Sequence, residues 1–170
     1  MGRGPRLALL VLVTVVLQGA VFPDLLVFGT VPDLAFVLAA AVAYKEGPDA
    51  AAVVGFLAGL GADLFLETPL GLTALSGALT GYGLGVLQTS LLRSPRWVAP
   101  LLGAGAGLGG GLVFAAAGIV TGSDVLASWR TLEVILRASM YDALLAPLVF
   151  LAVGRVLRED REPAAAWRIR

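Results

Sequence analysis

Apolar residues occur along this chain in six runs, separated by short clusters of Pro, Gly and charged residues. Lys45 to Asp49 and Arg93 to Arg96 are two such clusters, and their composition is typical of turns. In the third run, Gly55, Gly59 and Asp63 recur every four residues, which places them on one face of a helix. The pattern therefore predicts six helices, at about residues 7–26, 32–44, 50–66, 70–92, 97–120 and 132–157.

The amino-acid composition indicates whether these helices face water or lipid. The chain has 170 residues, of which 58% are hydrophobic and 14% are charged, and its mean hydropathy is +0.91. Soluble domains are roughly 45–50% apolar and about 25% charged. The sequence therefore predicts an all-α integral membrane protein, with six transmembrane helices in one bundle over residues 1–157 and a charged tail over 158–170.

The first two apolar runs differ from ordinary transmembrane spans in possible cleavage and in length. Arg3 and Arg6 precede the first run, and Gln18-Gly19-Ala20 offers small residues for cleavage, so this run could be a signal peptide or an uncleaved first span. The second run begins at Pro32 and Asp33, which suit a helix amino terminus. With about 13 residues it is shorter than the roughly 20 that a perpendicular span needs.

The basic residues are distributed unevenly between the two predicted sides. With six spans, the side that carries both termini receives ten of the 12 Lys and Arg residues, and the opposite side receives Arg130 and Arg137. Short loops rich in Lys and Arg stay in the cytoplasm. We therefore expect both termini, and the tail, in the cytoplasm. The ten residues are Arg3, Arg6, Lys45, Arg93, Arg96, Arg155, Arg158, Arg161, Arg168 and Arg170.

Glycines at four-residue spacing occur in three of the runs, and this spacing lets transmembrane helices pack closely. Two interpretations are open: the glycines pack the bundle internally, or they form a face for a partner helix. The candidate partner or packing interface comprises Gly55, Gly59, Asp63, Gly71 and Gly81. The fourth run also carries Gly77 and Gly85, and the fifth has one series of Gly103, Gly107 and Gly111 and a second of Gly105 and Gly109.

Asp63, Arg137 and Asp142 are charged residues within predicted spans, where charge is costly and normally marks a function or a specific pairing. All three fall in the outer half of their helices, so they could form one polar network. Asp63 could instead cap a neighbouring helix or contact a ligand or partner. A proton relay is a further alternative, but the inner halves of the spans carry no acids to continue it.

No catalytic or metal-binding pattern is present. The chain contains no His and no Cys, so its serines lack a histidine base and the usual imidazole and thiolate metal ligands are missing. Lys45 is the only lysine and lies in a predicted turn. We expect a protein that is not an enzyme, with no catalytic residue, no metal and no cofactor, and with membrane lipid but not nucleic acid among its partners.

Four segments taken in order resemble the rod shape-determining protein MreD family. They are Val31-Pro32-Asp33-Leu34, the stretch GFLAGLGADLFLETPLG over residues 55–71, residues 75–85 with the Gly81-Tyr82 pair, and Tyr141-Asp142-Ala143-Leu144-Leu145-Ala146-Pro147-Leu148. The chain departs from the family pattern at Asp142, where Asn is expected.

The resemblance implies a subunit of the cell-elongation machinery in the bacterial inner membrane. It implies an MreC-type bitopic partner and, through that partner, MreB, RodA and a penicillin-binding transpeptidase. It also implies a fold similar to the substrate-binding subunits of energy-coupling-factor transporters. The function expected is a non-enzymatic scaffold that organises peptidoglycan synthesis and rod shape.

A small-molecule-binding membrane subunit of a transporter is the alternative. Such subunits usually carry a long outer loop over the pocket, whereas the outer connections predicted here are short apart from residues 121–130. This difference favours the scaffold.

Overall fold

The structure is a computed structural model that describes residues 2–20, 30–65, 69–91, 97–122 and 128–157. Within these residues the chain is all-helical, as predicted, with six α-helices and no strand. The helices are α1 (Arg3–Ala20), α2 (Leu34–Glu46), α3 (Pro48–Asp63), α4 (Leu72–Leu91), α5 (Val98–Val120) and α6 (Trp129–Leu157).

The helices coincide with the apolar runs, with differences at their ends. α1 begins at Arg3 and α6 at Trp129, a few residues before the predicted starts at 7 and 132. α6 also continues through Pro147 without a break. The predicted continuation of the first span over residues 21–26 and the tail over 158–170 lie outside the described residues.

α2 is the central helix of the bundle. Its residues from Leu34 to Ala43 are all buried, and it contacts each of the other five helices. Its sequence is apolar all round and rich in alanine, a pattern typical of a helix enclosed by protein on every side. With 13 residues it is about 20 Å long, which explains why the second apolar run is so short.

Side-chain contacts bring four helix ends together around Lys45. The Arg3 guanidinium of α1 lies 3.7 Å from Glu46 at the end of α2, and Arg6 donates to the carbonyl of Val156 in α6 at 3.4 Å. Near the end of α4, Gln88 donates to the α2 carbonyl of Ala43 at 2.6 Å. We call this the Lys45 end, and we call the opposite end, where α3 stops and α4 starts, the Asp63 end.

α6 is much longer than α2. Its 29 residues span about 43 Å, and the two helices run parallel, since Asp33 contacts Asp142 at one end and Lys45 lies beside Gly154 at the other. The first half of α6, from Trp129 to about Asp142, therefore extends beyond the start of α2. This difference in length leaves space inside the bundle above Asp33.

The outer surface carries many large apolar side chains. Three helices, α1, α5 and α6, are long and apolar enough to cross a membrane. Leu12 of α1, Phe56 of α3, Leu79 of α4, Leu101 of α5 and Leu144 of α6 are all exposed. Exposed apolar surface on this scale is typical of a protein that faces lipid.

Candidate functional site: a polar cavity at the start of α2

Glycines on both helices form the interface between α3 and α4. Gly55 and Gly77 face each other: a methyl group on Gly77 would lie 2.9 Å from the carbonyl carbon of Gly55 and closer still to its oxygen. Gly59 similarly faces the backbone of Thr73, and Gly81 faces the backbone of α3. All four glycines are buried. The sequence left open internal packing or a face for a partner helix, and these contacts between α3 and α4 are internal packing.

Asp63 lies at the end of α3 and caps the start of α4. Its carboxylate accepts hydrogen bonds from the backbone N–H groups of Gly71 (2.8 Å), Thr73 (3.1 Å) and Ala74 (3.3 Å). The first N–H groups of a helix have no partner within the helix, and a carboxylate there is also favoured by the helix dipole. The side chain is only 2% exposed, so this cap lies inside the protein.

Gly71 was grouped by sequence with the interface glycines, but the structure places it in the turn before α4. A methyl group on Gly71 would have no atom within 4 Å, so close packing does not require glycine there. Glycine is favoured there by the φ angle of +96°, because residues that carry a side chain rarely adopt that conformation. This turn also directs the Gly71 N–H toward Asp63.

The predicted network of Asp63, Arg137 and Asp142 is not formed. Arg137 pairs with Glu133, one turn earlier in α6, at 3.5 Å, and both side chains are about half exposed. Asp63 is occupied by the amides of α4, and Asp142 contacts the start of α2. Arg137 lies on the outer side of α6, whereas Asp142 lies on its buried side, because five residues along a helix correspond to about 500° of rotation.

Two side chains distant in sequence hold the backbone at the start of α2. The Asp33 N–H donates to Oδ1 of Asp142 at 2.8 Å. Gln18 of α1 donates through Nε2 to the carbonyl of Pro32 at 3.0 Å and accepts from the Leu34 N–H at 2.9 Å. The Asp33 carboxylate caps its own helix by accepting from the Ala35 N–H at 3.2 Å.

Glycines of α5 allow α6 to approach closely at Asp142. A methyl group on Gly103 would lie 2.7 Å from the Asp142 carbonyl oxygen, and one on Gly107 would overlap Oδ2 of Asp142 and Oγ of Ser139. Asp142 is fully buried. Its Oδ2 atom has no hydrogen-bond partner, which is rare for a buried polar atom and requires an explanation.

A pocket of about 220 Å³ is lined in part by Asp33 and Asp142. Thr73 at the start of α4 also lines it. The Thr73 side chain is 2% exposed, and its Oγ1 atom also lacks a partner. Among the described residues, no Arg or Lys lines the cavity. Its apolar walls include Phe36 of α2, Phe114 of α5 and Ile135 of α6.

Two residues of this region are not predicted by the sequence analysis to belong to a site. Gln18 enters it only as part of a possible cleavage triplet, although a polar residue within an apolar run is a signal that could have indicated a buried contact. Thr73 is one of several Thr and Ser residues in α4, and only its position opposite Asp33 and Asp142 distinguishes it.

Comparisons of the chain with protein-family models, with curated proteins and with solved structures gave no match. The geometry defines a class of protein, an all-helical protein with apolar helices suited to a membrane and, at one end, a largely apolar pocket that Asp33 and Asp142 help to line.

Proposed function

We propose that this chain is a non-enzymatic scaffold of the bacterial cell-elongation complex, of the MreD type. In this proposal it lies in the cytoplasmic membrane and binds an MreC-type bitopic protein. Through that partner it organises MreB, RodA and a penicillin-binding transpeptidase for peptidoglycan synthesis. A fold similar to the substrate-binding subunits of energy-coupling-factor transporters is part of the same proposal.

The observation that supports it is the convergence of three of the four segments that carry the resemblance. Asp33, from the first segment, and Asp142, from the last, are 109 positions apart in sequence and share a hydrogen bond. Asp63, from the second, accepts a hydrogen bond from the N–H of Thr73, a residue that lines the same pocket as Asp33 and Asp142. Three weak motifs that meet in one place are better explained as parts of one signature than as three coincidences.

The proposal includes six transmembrane helices with both termini in the cytoplasm. The short α2 needs no contact with lipid because it is buried among the other helices. Gln18, in the triplet that could serve for cleavage, binds the start of α2, which favours an uncleaved first span. Among the described residues, Arg3, Arg6, Lys45 and Arg155 belong to the Lys45 end, which we assign to the cytoplasm.

Co-purification tests the scaffold. The full chain, tagged at its carboxyl terminus, is co-expressed with an MreC-type protein from a rod-shaped bacterium, solubilised in mild detergent and captured by the tag. We expect the MreC-type protein to be retained in stoichiometric amount, and an unrelated bitopic protein expressed at the same level to be lost. Loss of both proteins would contradict the proposal.

Gly59 should not be used to test the partner contact. Its Cα faces the α4 backbone, so a Gly59→Leu chain is expected to lose the α3–α4 interface whether or not a partner is present. Reduced co-purification by that variant would not locate a partner surface.

A small-molecule-binding subunit of a transporter is a second candidate, and the cavity is the observation that favours it. A pocket of about 220 Å³ lies at the start of α2, and its lining combines apolar side chains with a few polar residues, as small-molecule sites do. Capture of the chain from native membranes distinguishes the two functions. A transporter subunit should bring an ATPase-linked membrane module with it, whereas the scaffold should bring proteins of wall synthesis.

A further inference from the structure

We propose that two surface grooves beside the first turns of α6 form a binding site for a diacyl phospholipid with an anionic headgroup. The headgroup pairs with Arg130, and the two acyl chains lie in the two grooves. The inference requires only that the chain lies in a membrane, so it depends on neither the scaffold function nor the transporter function.

The two grooves lie between α5 and α6 at the Asp63 end, and their volumes are about 330 and 310 Å³. Thr131 and Ile135 line both grooves. Because these two residues are four apart on one face of α6, the grooves lie on either side of the ridge that they form. The other apolar residues of the first groove are Gly111, Phe114 and Val134. Those of the second groove are Leu112, Ala115, Ile119, Trp129 and Leu132.

Both grooves present apolar side chains to the outside of the bundle. Val134 in the first groove is 42% exposed, and Leu112 and Ile119 in the second are 52% and 48% exposed. In a membrane such surface is covered by acyl chains. Two apolar grooves on either side of one ridge match the two chains of a single phospholipid.

Arg130 supplies the charge that selects the headgroup. It lines the first groove together with Ser128 and Thr131. Within the described part of the chain, no Asp or Glu lines either groove and Arg130 forms no ion pair. Arg137 differs, because it is paired with Glu133. A guanidinium group matches the geometry of a phosphate, and basic pockets between transmembrane helices bind anionic headgroups.

The position of Arg130 along α6 agrees with this assignment. At about 43 Å, α6 is as long as a bilayer with its headgroups is thick, about 40–45 Å. The first turn of the helix, which contains Arg130, therefore lies at the level of the headgroups. Trp129 beside it is 73% exposed, and exposed tryptophan is typical of this boundary between hydrocarbon and headgroups.

Trp129 can report lipid contact, because it lines the second groove. The chain has three tryptophans, so Trp97→Phe and Trp167→Phe leave Trp129 as the only one. This full chain is reconstituted into phosphatidylcholine vesicles that contain a minor, matched fraction of dibrominated phosphatidylglycerol or dibrominated phosphatidylcholine. Bromine on an acyl chain quenches tryptophan fluorescence on contact. We expect a roughly fivefold preference for phosphatidylglycerol, which is about what one Arg contributes near an anionic headgroup.

Variants with matched controls locate the site. Arg130→Gln should remove the preference, whereas Arg130→Lys, which keeps the charge, should retain most of it. The control is the double variant Glu133→Gln/Arg137→Gln, which removes the exposed ion pair of α6 at unchanged net charge and alters neither groove. Val134→Phe fills the first groove and should weaken the preference several-fold. Leu136→Phe should not, because Leu136 is similarly exposed but lines neither groove.

Three results would overturn the inference. Equal quenching by the two lipids would leave the grooves to another occupant, such as a transmembrane helix of a partner protein. A preference that survives Arg130→Gln, or that the double control removes as strongly, would show that Arg130 does not select the lipid. If Val134→Phe fails to fold, the comparison at Arg130 still decides, because that side chain is exposed. The vesicles contain no MreC-type partner, so failure of lipid selection and failure of the scaffold proposal are distinguishable.

Discussion

Replacing Gly77 by alanine should destabilise the bundle, whereas replacing Gly83, six residues later in the same helix, should not. A methyl group on Gly77 would overlap the backbone of Gly55, but one on Gly83 would have no atom within 4 Å. Both changes add the same methyl group to α4, so the gain in helix propensity cancels between them. The difference in the free energy of unfolding is therefore the cost of overpacking, about 1–3 kcal/mol.

That difference corresponds to a roughly 5- to 150-fold change in the folding equilibrium. We expect a value near the upper limit, because the atoms that a methyl group would meet belong to the backbone of α3 and can move only if the helices separate. Unfolding is measured in mixed micelles by titration with dodecyl sulfate, followed by far-ultraviolet circular dichroism. Equal midpoints for the two variants would refute the close approach of α3 and α4.

The reciprocal substitution provides an internal check. Gly55→Ala presses on the same contact from the other side. Once one methyl group has separated the helices, the second should cost less, so the double variant should be less destabilised than the sum of the single variants. Strict additivity would show that the two glycines do not share one contact.

Three further predictions concern charge and orientation. Asp63→Ala leaves the N–H groups of Gly71, Thr73 and Ala74 without their acceptor, so the free energy of unfolding should fall by about 2 kcal/mol or more. Asp63→Asn should recover part of this loss. A wild-type midpoint for the alanine variant in the same titration would contradict the cap. Arg137→Ala should change the unfolding free energy by less than about 0.5 kcal/mol, because its pair with Glu133 is exposed, and a large loss would mean that Arg137 has a buried partner in the membrane. Because the chain has no cysteine, a single cysteine at the exposed position Leu70 or Trp97 can be labelled with a membrane-impermeant maleimide. In intact cells only the Leu70→Cys variant should be labelled. Labelling of the Trp97→Cys variant alone would mean that the proposed topology is inverted.

The helices were predictable because their signals are local. Each apolar run is bounded by turn residues, and the four-residue spacing of the glycines defines a face by helix geometry alone. The contact between α3 and α4 follows from this spacing, because Gly55 and Gly59 on one helix and Gly77 and Gly81 on the next are the surfaces that can approach most closely. The choice between internal packing and a partner face could be made only once the neighbouring helix was placed.

The polar contacts could be predicted only in part. For Asp63 the sequence left open a pairing with Arg137 and Asp142 or a cap on a neighbouring helix, and for Asp142 it indicated only the pairing. In the structure both carboxylates accept hydrogen bonds from backbone N–H groups at the starts of helices, Asp63 at α4 and Asp142 at α2. The capping alternative therefore holds for Asp63, whereas the contact of Asp142 was not predicted, because every residue except proline carries a backbone N–H and the sequence does not show which one a distant carboxylate will meet.

The sequence by itself determined a helical, apolar chain and the faces on which its small residues lie, because both depend on local periodicity and composition. Only the tertiary structure decided that α2 is central, that its shortness leaves a cavity against the longer α6, and that Asp33, Thr73 and Asp142 line it. Periodicity states which residues share a face of a helix, but the neighbour that each face meets depends on how all six helices pack together.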